Sequence, residues 1–169
     1  MTKAETDKLL YLISKGDNNA FETLYVKTKN GVYSFLYTYV HNHADTEDLM
    51  QTVYLKIKTN ISQYKKGTNG NAWILQIAKN LALNKIKKES RVQLEEDIVV
   101  PDHTQEFGGT VTDAMERALS EEEQRIITLH VLWGYKHREI ADIIGSPTGT
   151  VTSKYKRAIK KLKYALKED

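Results

Sequence analysis

The chain of 169 residues carries 25 Lys and Arg against 22 Asp and Glu, a net charge of +3, so an anionic partner has to be inferred from where the charge lies. With no cysteine, disulfides, thiolate metal sites and cysteine nucleophiles are excluded, and the five histidines show no paired ligand spacing, so no metal is expected. No apolar run approaches the roughly 18 to 20 residues that span a bilayer, and the polar start Met1-Thr2-Lys3-Ala4-Glu5-Thr6-Asp7 is no signal peptide, so the expected location is the cytoplasm without membrane insertion.

Leu9, Leu10, Leu12 and Ile13 predict a short first helix ended by Gly16, with Asp17 or Asn18 capping a long second helix that runs to about His41. Phe21, Leu24, Tyr25, Val32, Phe35, Leu36, Tyr39 and Val40 keep helical spacing along it, although Gly31 costs about 1 kcal/mol relative to alanine. His41 and His43 read as a polar helix end. A third helix begins near Asp45, where acidic residues suit the first turn. Leu49, Val53 and Ile57 form its inward stripe, while Asp45, Glu47, Asp48, Gln51 and Lys56 fall to other sides. Lys65-Lys66-Gly67-Thr68-Asn69-Gly70-Asn71 is a polar, glycine-rich loop, and a fourth helix extends from about Ala72 to Lys88 with Trp73, Ile74, Ile77, Leu81 and Ile86 facing in.

Periodicity then fades. From residue 92 to 112 acids accumulate, and Pro101 and Gly108-Gly109 interrupt, which reads as a flexible acidic linker. Ser120 and Glu123 have the spacing of a capping box ahead of Ile126, Ile127, Leu129 and Leu132. Tyr135 to Gly145 is a short helix with Ile140, Ala141, Ile143 and Ile144 inward. It ends in a glycine suited to positive φ, and small Ala141 lets a second helix cross closely. Ser146 is expected to cap the last helix, with Pro147 at its first position.

That last helix has two faces. Val151, Tyr155, Ala158, Ile159, Leu162, Ala165 and Leu166 share one side. A rotation of about 100° per residue puts Ser153, Lys156, Arg157 and Lys160 opposite, with Thr152 on the flank. Its lysines and arginine run without an acidic residue until Glu168, whereas solvated helix faces usually mix signs for intrahelical pairing. Helix, glycine turn and basic helix together read as a DNA-binding helix-turn-helix. The expected fold is all-α, with two small helical domains and the helix-turn-helix in the C-terminal one. Asp45, Glu47 and Asp48 diverge around one helix, a poor arrangement for a catalytic metal, so a nucleic-acid enzyme is disfavoured. A helix-turn-helix regulator with an N-terminal interaction domain stays open as an alternative.

Taken in order, Asp45-Thr46-Glu47-Asp48-Leu49-Met50-Gln51, Ala72-Trp73-Ile74-Leu75-Gln76-Ile77-Ala78-Lys79-Asn80-Leu81-Ala82 and Ser146-Pro147-Thr148-Gly149-Thr150-Val151 resemble bacterial RNA polymerase sigma factors of the extracytoplasmic-function group, within the sigma-70 family. The resemblance covers nearly the whole chain. It implies a region 2 domain over residues 1–91 that binds core RNA polymerase and the minus-10 element, a linker over 92–112 that threads the polymerase's RNA channel, and a region 4 domain over 113–169 that binds minus-35 DNA. It also implies an anti-sigma factor as partner, and neither a cofactor, a small-molecule substrate nor catalysis.

Residue by residue, the resemblance gives polymerase contact to Asp48 and Gln51 and to an exposed side of Leu49, Met50 and Tyr54. Thr52 stands where many relatives carry glutamate. For the minus-10 strand, Lys65, Lys66, Lys79, Lys87 and Lys88 are expected to follow phosphates, as is Lys85. Asn69, Asn71, Asn80 and Asn84 would meet base edges, and Tyr64 is the aromatic expected to be exposed for stacking, Trp73 being assigned to the core. Gly70 occupies a place where relatives often have an aromatic residue, and Asn84 one where many have aspartate. For minus-35 DNA the contacts are Thr148, Thr150, Thr152, Ser153, Lys154, Lys156, Arg157 and Lys160, Thr152 replacing a frequently basic residue.

Overall fold

A computed structural model describes residues 1–92 and 110–167, which fall into two compact units, each with its own core. The expected acidic linker lies almost wholly outside the described residues. Among the described residues every regular element is helical, and no helix is long and apolar enough to cross a membrane.

The N-terminal unit holds α1 (Lys3–Ser14), α2 (Asn18–Val40), α3 (His43–Thr59), a 3-10 turn at Ile61–Gln63 and α4 (Gly70–Val92). Thr2 and Glu5 form a capping box at the start of α1. Gly16, at φ 88°, turns the chain so that Asp17 can cap α2, its carboxylate accepting the Ala20 N–H at 3.0 Å. His41 ends α2 in the left-handed region at φ 48°, and Asn42 caps α3 through the Asp45 N–H at 3.0 Å. The third helix therefore starts at His43, ahead of the expected Asp45, because the Asn42 side chain supplies its cap. Leu24, Val32, Phe35 and Leu36 of α2, Val53 and Ile57 of α3 and Ile74, Ala78 and Ala82 of α4 are fully buried together. The two alanines let α4 approach α2 and α3 closely. Leu10 of α1 is equally buried, so the first helix belongs to this core.

The C-terminal unit holds α5 (Thr110–Ala118), α6 (Glu121–Val131), α7 (His137–Ile144) and α8 (Thr148–Ala165). Helix α5 begins inside the expected linker, where no periodicity had announced it. Helix α8 packs on the other three, burying Val151, Ala158 and Leu162 with Ala114, Leu119, Ile127 and Ile140. The Ser120–Glu123 capping box forms as expected. Gly145, at φ 75°, closes α7 by giving its N–H to the Ala141 carbonyl at 2.9 Å, and α8 follows after a short turn. The last helix starts one residue later than expected, with Pro147 as its cap residue. The Ser146 hydroxyl donates to Glu122 at 3.2 Å instead of capping. Leu132 and Leu166, both expected to pack inward, are exposed at the ends of α6 and α8.

Candidate nucleic-acid interface

On α8, Ser153, Lys156, Arg157 and Lys160 are exposed on the side opposite Val151, Ala158 and Leu162, where helical rotation placed them. Thr148 lies exposed in the first turn and Thr150 is half-buried. The Ser153 hydroxyl is turned back onto its own helix, donating to the Gly149 carbonyl at 2.9 Å. Thr152 is half-buried: it donates to the Thr148 carbonyl at 3.0 Å and lies 3.1 Å from Nδ1 of His137, at the start of α7. His137, His130 and Tyr155 pack their rings with centroids 4.7 to 5.1 Å apart. Burial, then the neighbouring His130 and Lys156, lower the His137 pKa below the ordinary imidazole value. The His137 ring is therefore held toward its neutral form, beside a cationic strip.

Lys154 differs from the other basic residues of α8. It is paired with Glu122 of α6 in a contact that also receives Ser146, and this lysine holds the Glu122 pKa below the usual carboxylate value. Next to it, Glu123 has a side chain only 3% exposed and an ion pair with Lys161 at 2.7 Å. Burial pushes the Glu123 carboxyl up, but Lys161 and the Ser120 amide outweigh it and the net shift is downward.

In the N-terminal unit, Gln76, Asn80, Asn84 and Lys88 stand exposed at four-residue steps along α4, with Lys87 and Arg91 alongside and Lys79 half-buried. Gln76 donates to the Asn80 side-chain carbonyl at 2.8 Å. Gln76 extends the four-residue row of Asn80, Asn84 and Lys88 by one step, which is the signal for it in the sequence, and the 45% exposed Leu83 stands beside that row, three residues after Asn80. Lys65 and Lys66 project from the loop, Lys66 lying over the Tyr11 ring at 4.0 Å. Asn69 caps α4, its side chain accepting the Ala72 N–H at 3.2 Å.

Several expectations for this face change. Tyr64 is not exposed but 9% accessible, its hydroxyl donating to Asp7 and its ring packed on half-buried Trp73 at 5.2 Å between centroids. Burial first, and then Asp7, push its pKa up to about 12. Asn71 is 1% exposed and accepts the Thr6 hydroxyl at 2.5 Å, so it points into the unit and away from any strand on the surface. Lys85 bridges Asp45 and Glu89, each at 2.8 Å, which occupies the charge expected to follow phosphate and raises its pKa.

The α3 surface is likewise more selective than expected. Asp48 and Gln51 are exposed, but Leu49 and Tyr54 are buried, and Met50 is half-buried. Tyr54 packs edge-on against Phe21 and Tyr25, shares a 2.8 Å hydrogen bond with the Thr28 hydroxyl, and is pushed up to about 12 in pKa by its burial. The apolar side chain that stands outward beside Asp48 and Gln51 is Leu55, 62% exposed. Its place four residues after Gln51 was the available signal. Among the described residues no cluster of three His, Asp or Glu side chains is arranged to hold a metal ion.

Comparison with known proteins assigns both units. Residues 24–92 match Sigma-70 region 2 and residues 113–162 match Sigma-70 region 4. The chain is 30% identical to the ECF RNA polymerase sigma-E factor of Haemophilus influenzae over 94% of each protein, and 29% identical to that of Escherichia coli over 94% of this chain and 93% of the other. Its fold is similar to that of the sigma factor RpoE of Bartonella quintana, solved in complex with the anti-sigma factor NepR, with a TM-score of 0.67 at 24% identity over 88% of this chain and 98% of that one. The chain belongs to the extracytoplasmic-function group of the sigma-70 family of sigma factors.

Proposed function

We propose that this sigma factor binds core RNA polymerase through the exposed Asp48–Gln51–Leu55 side of α3, reads minus-35 duplex through α8, and holds the opened minus-10 strand against the 65–71 loop and the polar side of α4. The observation that carries the reading is the exposed strip of Ser153, Lys156, Arg157 and Lys160 on the second helix of a helix-turn-helix, in a chain that also has an N-terminal region 2 unit. A guanidinium and two ammonium groups on one side of a helix provide both phosphate neutralisation and directional donors for base edges in a major groove. The exposed amides of Gln76, Asn80 and Asn84, flanked by Lys87 and Lys88, suit a strand whose bases are already unpaired.

In this reading Arg157 is the principal minus-35 determinant, with Thr148, Thr150, Thr152 and Lys154 positioning the helix end or the backbone around it. Lys65 and Lys66 follow phosphates, and Asn69 contributes through the shape it gives the loop. Buried Asn71 and Tyr64 act on the loop from inside. The acidic linker occupies the RNA channel, and an anti-sigma factor holds the protein inactive in the cytoplasm until it is needed. The protein performs no reaction itself: strand separation draws on binding energy.

The test is reconstitution with sigma-free core polymerase and a cognate promoter. Promoter-dependent transcript is expected from the mixture, and a lack of core association would overturn the reading in favour of an ordinary DNA-binding regulator. Arg157→Ala should weaken minus-35 recognition by about 1–3 kcal/mol. The pair Asp48→Ala and Gln51→Ala should weaken core binding with promoter preference unchanged.

A further inference from the structure

The geometry points to α1 as the brace that sets the conformation of the 65–71 loop, making Thr6 and Asp7 positioning residues for capture of the minus-10 strand. The inference rests on the reading of that loop as the strand-capturing element.

Three contacts, each of a different kind, converge on the loop from α1. The Asp7 carboxylate accepts the Tyr64 hydroxyl at the near end of the loop and the Gly67 N–H at 3.0 Å near its tip. One carboxylate oxygen thus ties the residue before the loop to its turn, where Gly67 sits at φ 86°. At the far end, fully buried Thr6 gives its hydroxyl to Asn71 at 2.5 Å. Between these anchors the backbone of Gly70 presses on α1. A Cβ added there would stand 2.8 Å from Cδ1 of fully buried Leu10, 3.0 Å from Cγ2 of Thr6 and 3.3 Å from the backbone nitrogen of Asp7. A side chain there would force the packed Leu10 and Thr6 side chains to shift and press on the α1 backbone.

These contacts do more than fill the core. A loop with glycines at positions 67 and 70 has wide backbone freedom, and each charge-assisted bond removes part of it before DNA arrives. A strand that binds a pre-shaped loop avoids the ordering cost it would otherwise meet on binding. Helix α1 holds Asp7 and Thr6 one residue apart on its buried side and is itself fixed through Leu10, so the loop inherits the rigidity of the helical core. Lys65 and Lys66 remain on the outer side of the braced loop, available to phosphate.

The test compares full-length Asp7→Ala, Thr6→Val and Asp7→Asn with the parent protein on core polymerase. Core affinity is measured alongside the rate of promoter opening on duplex template, and base preference at each minus-10 position is measured on template already unpaired there. Asp7→Ala should slow opening about tenfold, the usual worth of a charge-assisted hydrogen bond, and flatten base preference even on the unpaired template, with core affinity within about twofold. Asp7→Asn, which keeps an acceptor oxygen, should recover most of both. If Asp7→Ala does not fold, Thr6→Val carries the test, since it changes one buried hydroxyl at nearly constant volume. Lower thermal stability with parental opening and base preference would overturn the brace. A Lys65→Ala, Lys66→Ala double variant separates the failures: if it too leaves minus-10 binding unchanged, the reading of the loop itself falls.

Discussion

Lys154 and Lys161 belong to the same basic run in the sequence, yet their counter-charges lie 32 and 38 residues away on α6. Helical rotation places a side chain on a face of its own helix, but it carries no information about which neighbouring helix supplies a carboxylate to that face. Lys156, Arg157 and Lys160 were therefore legible as an outward strip, whereas Lys154, on its edge, was not legible as half of an ion pair. The same limit explains Tyr64 and Asn71, whose partners Asp7 and Thr6 precede them by 57 and 65 residues. Removing Lys161 leaves Glu123 with its Ser120 cap but without its cation. Lys161→Ala should destabilise the C-terminal unit by about 1 kcal/mol, a figure kept small because the lysine is partly exposed. Glu122 and Glu123 are both held below the ordinary carboxylate value of 4.5, so they contribute stability above that pH, and the contribution is lost as pH falls through their lowered values. Acid unfolding followed by circular dichroism should show a shallower loss for Lys161→Ala than for the parent over that range.

At the scale of helices, type and order were legible wherever an apolar stripe ran for three turns or more, as in α2, α4 and α8. Boundaries shifted where a cap decided them. Asn42 started α3 early, and Ser146 gave its hydroxyl to Glu122 and left Pro147 at the head of α8. Helix α5 is not legible in the sequence because its short stripe has meaning only where it packs against α8. The α7–α8 pair makes a further element-scale prediction. Its His137 pKa lies below the ordinary 6.5, so the imidazole is neutral in the folded state while the unfolded chain takes up a proton first. Stability of the helix-turn-helix should be full above about pH 6.5 and fall as pH drops below it toward the lowered value. Thermal unfolding at pH 7.5 and pH 5.5 checks this, with His137→Gln expected to remove much of the difference. An equal loss in the variant would assign the effect to another group.

The whole molecule consists of two cores built from different segments, each large enough to bury several aliphatic and aromatic side chains completely. Two cores joined by a linker need not unfold as one. The protein has two tryptophans, half-buried Trp73 beside Tyr64 in the N-terminal unit and buried Trp133 in the turn after α6. Trp73→Phe and Trp133→Phe variants should report different thermal midpoints, and coincident midpoints would show one cooperative unit. With a single indole in each half, the chain carries its own pair of optical labels. Fluorescence from Trp73, read in the Trp133→Phe variant, follows events near the 65–71 loop, and fluorescence from Trp133, read in the Trp73→Phe variant, follows those at the helix-turn-helix. The order in which a promoter engages the two halves can thus be timed by comparing these two single-tryptophan variants.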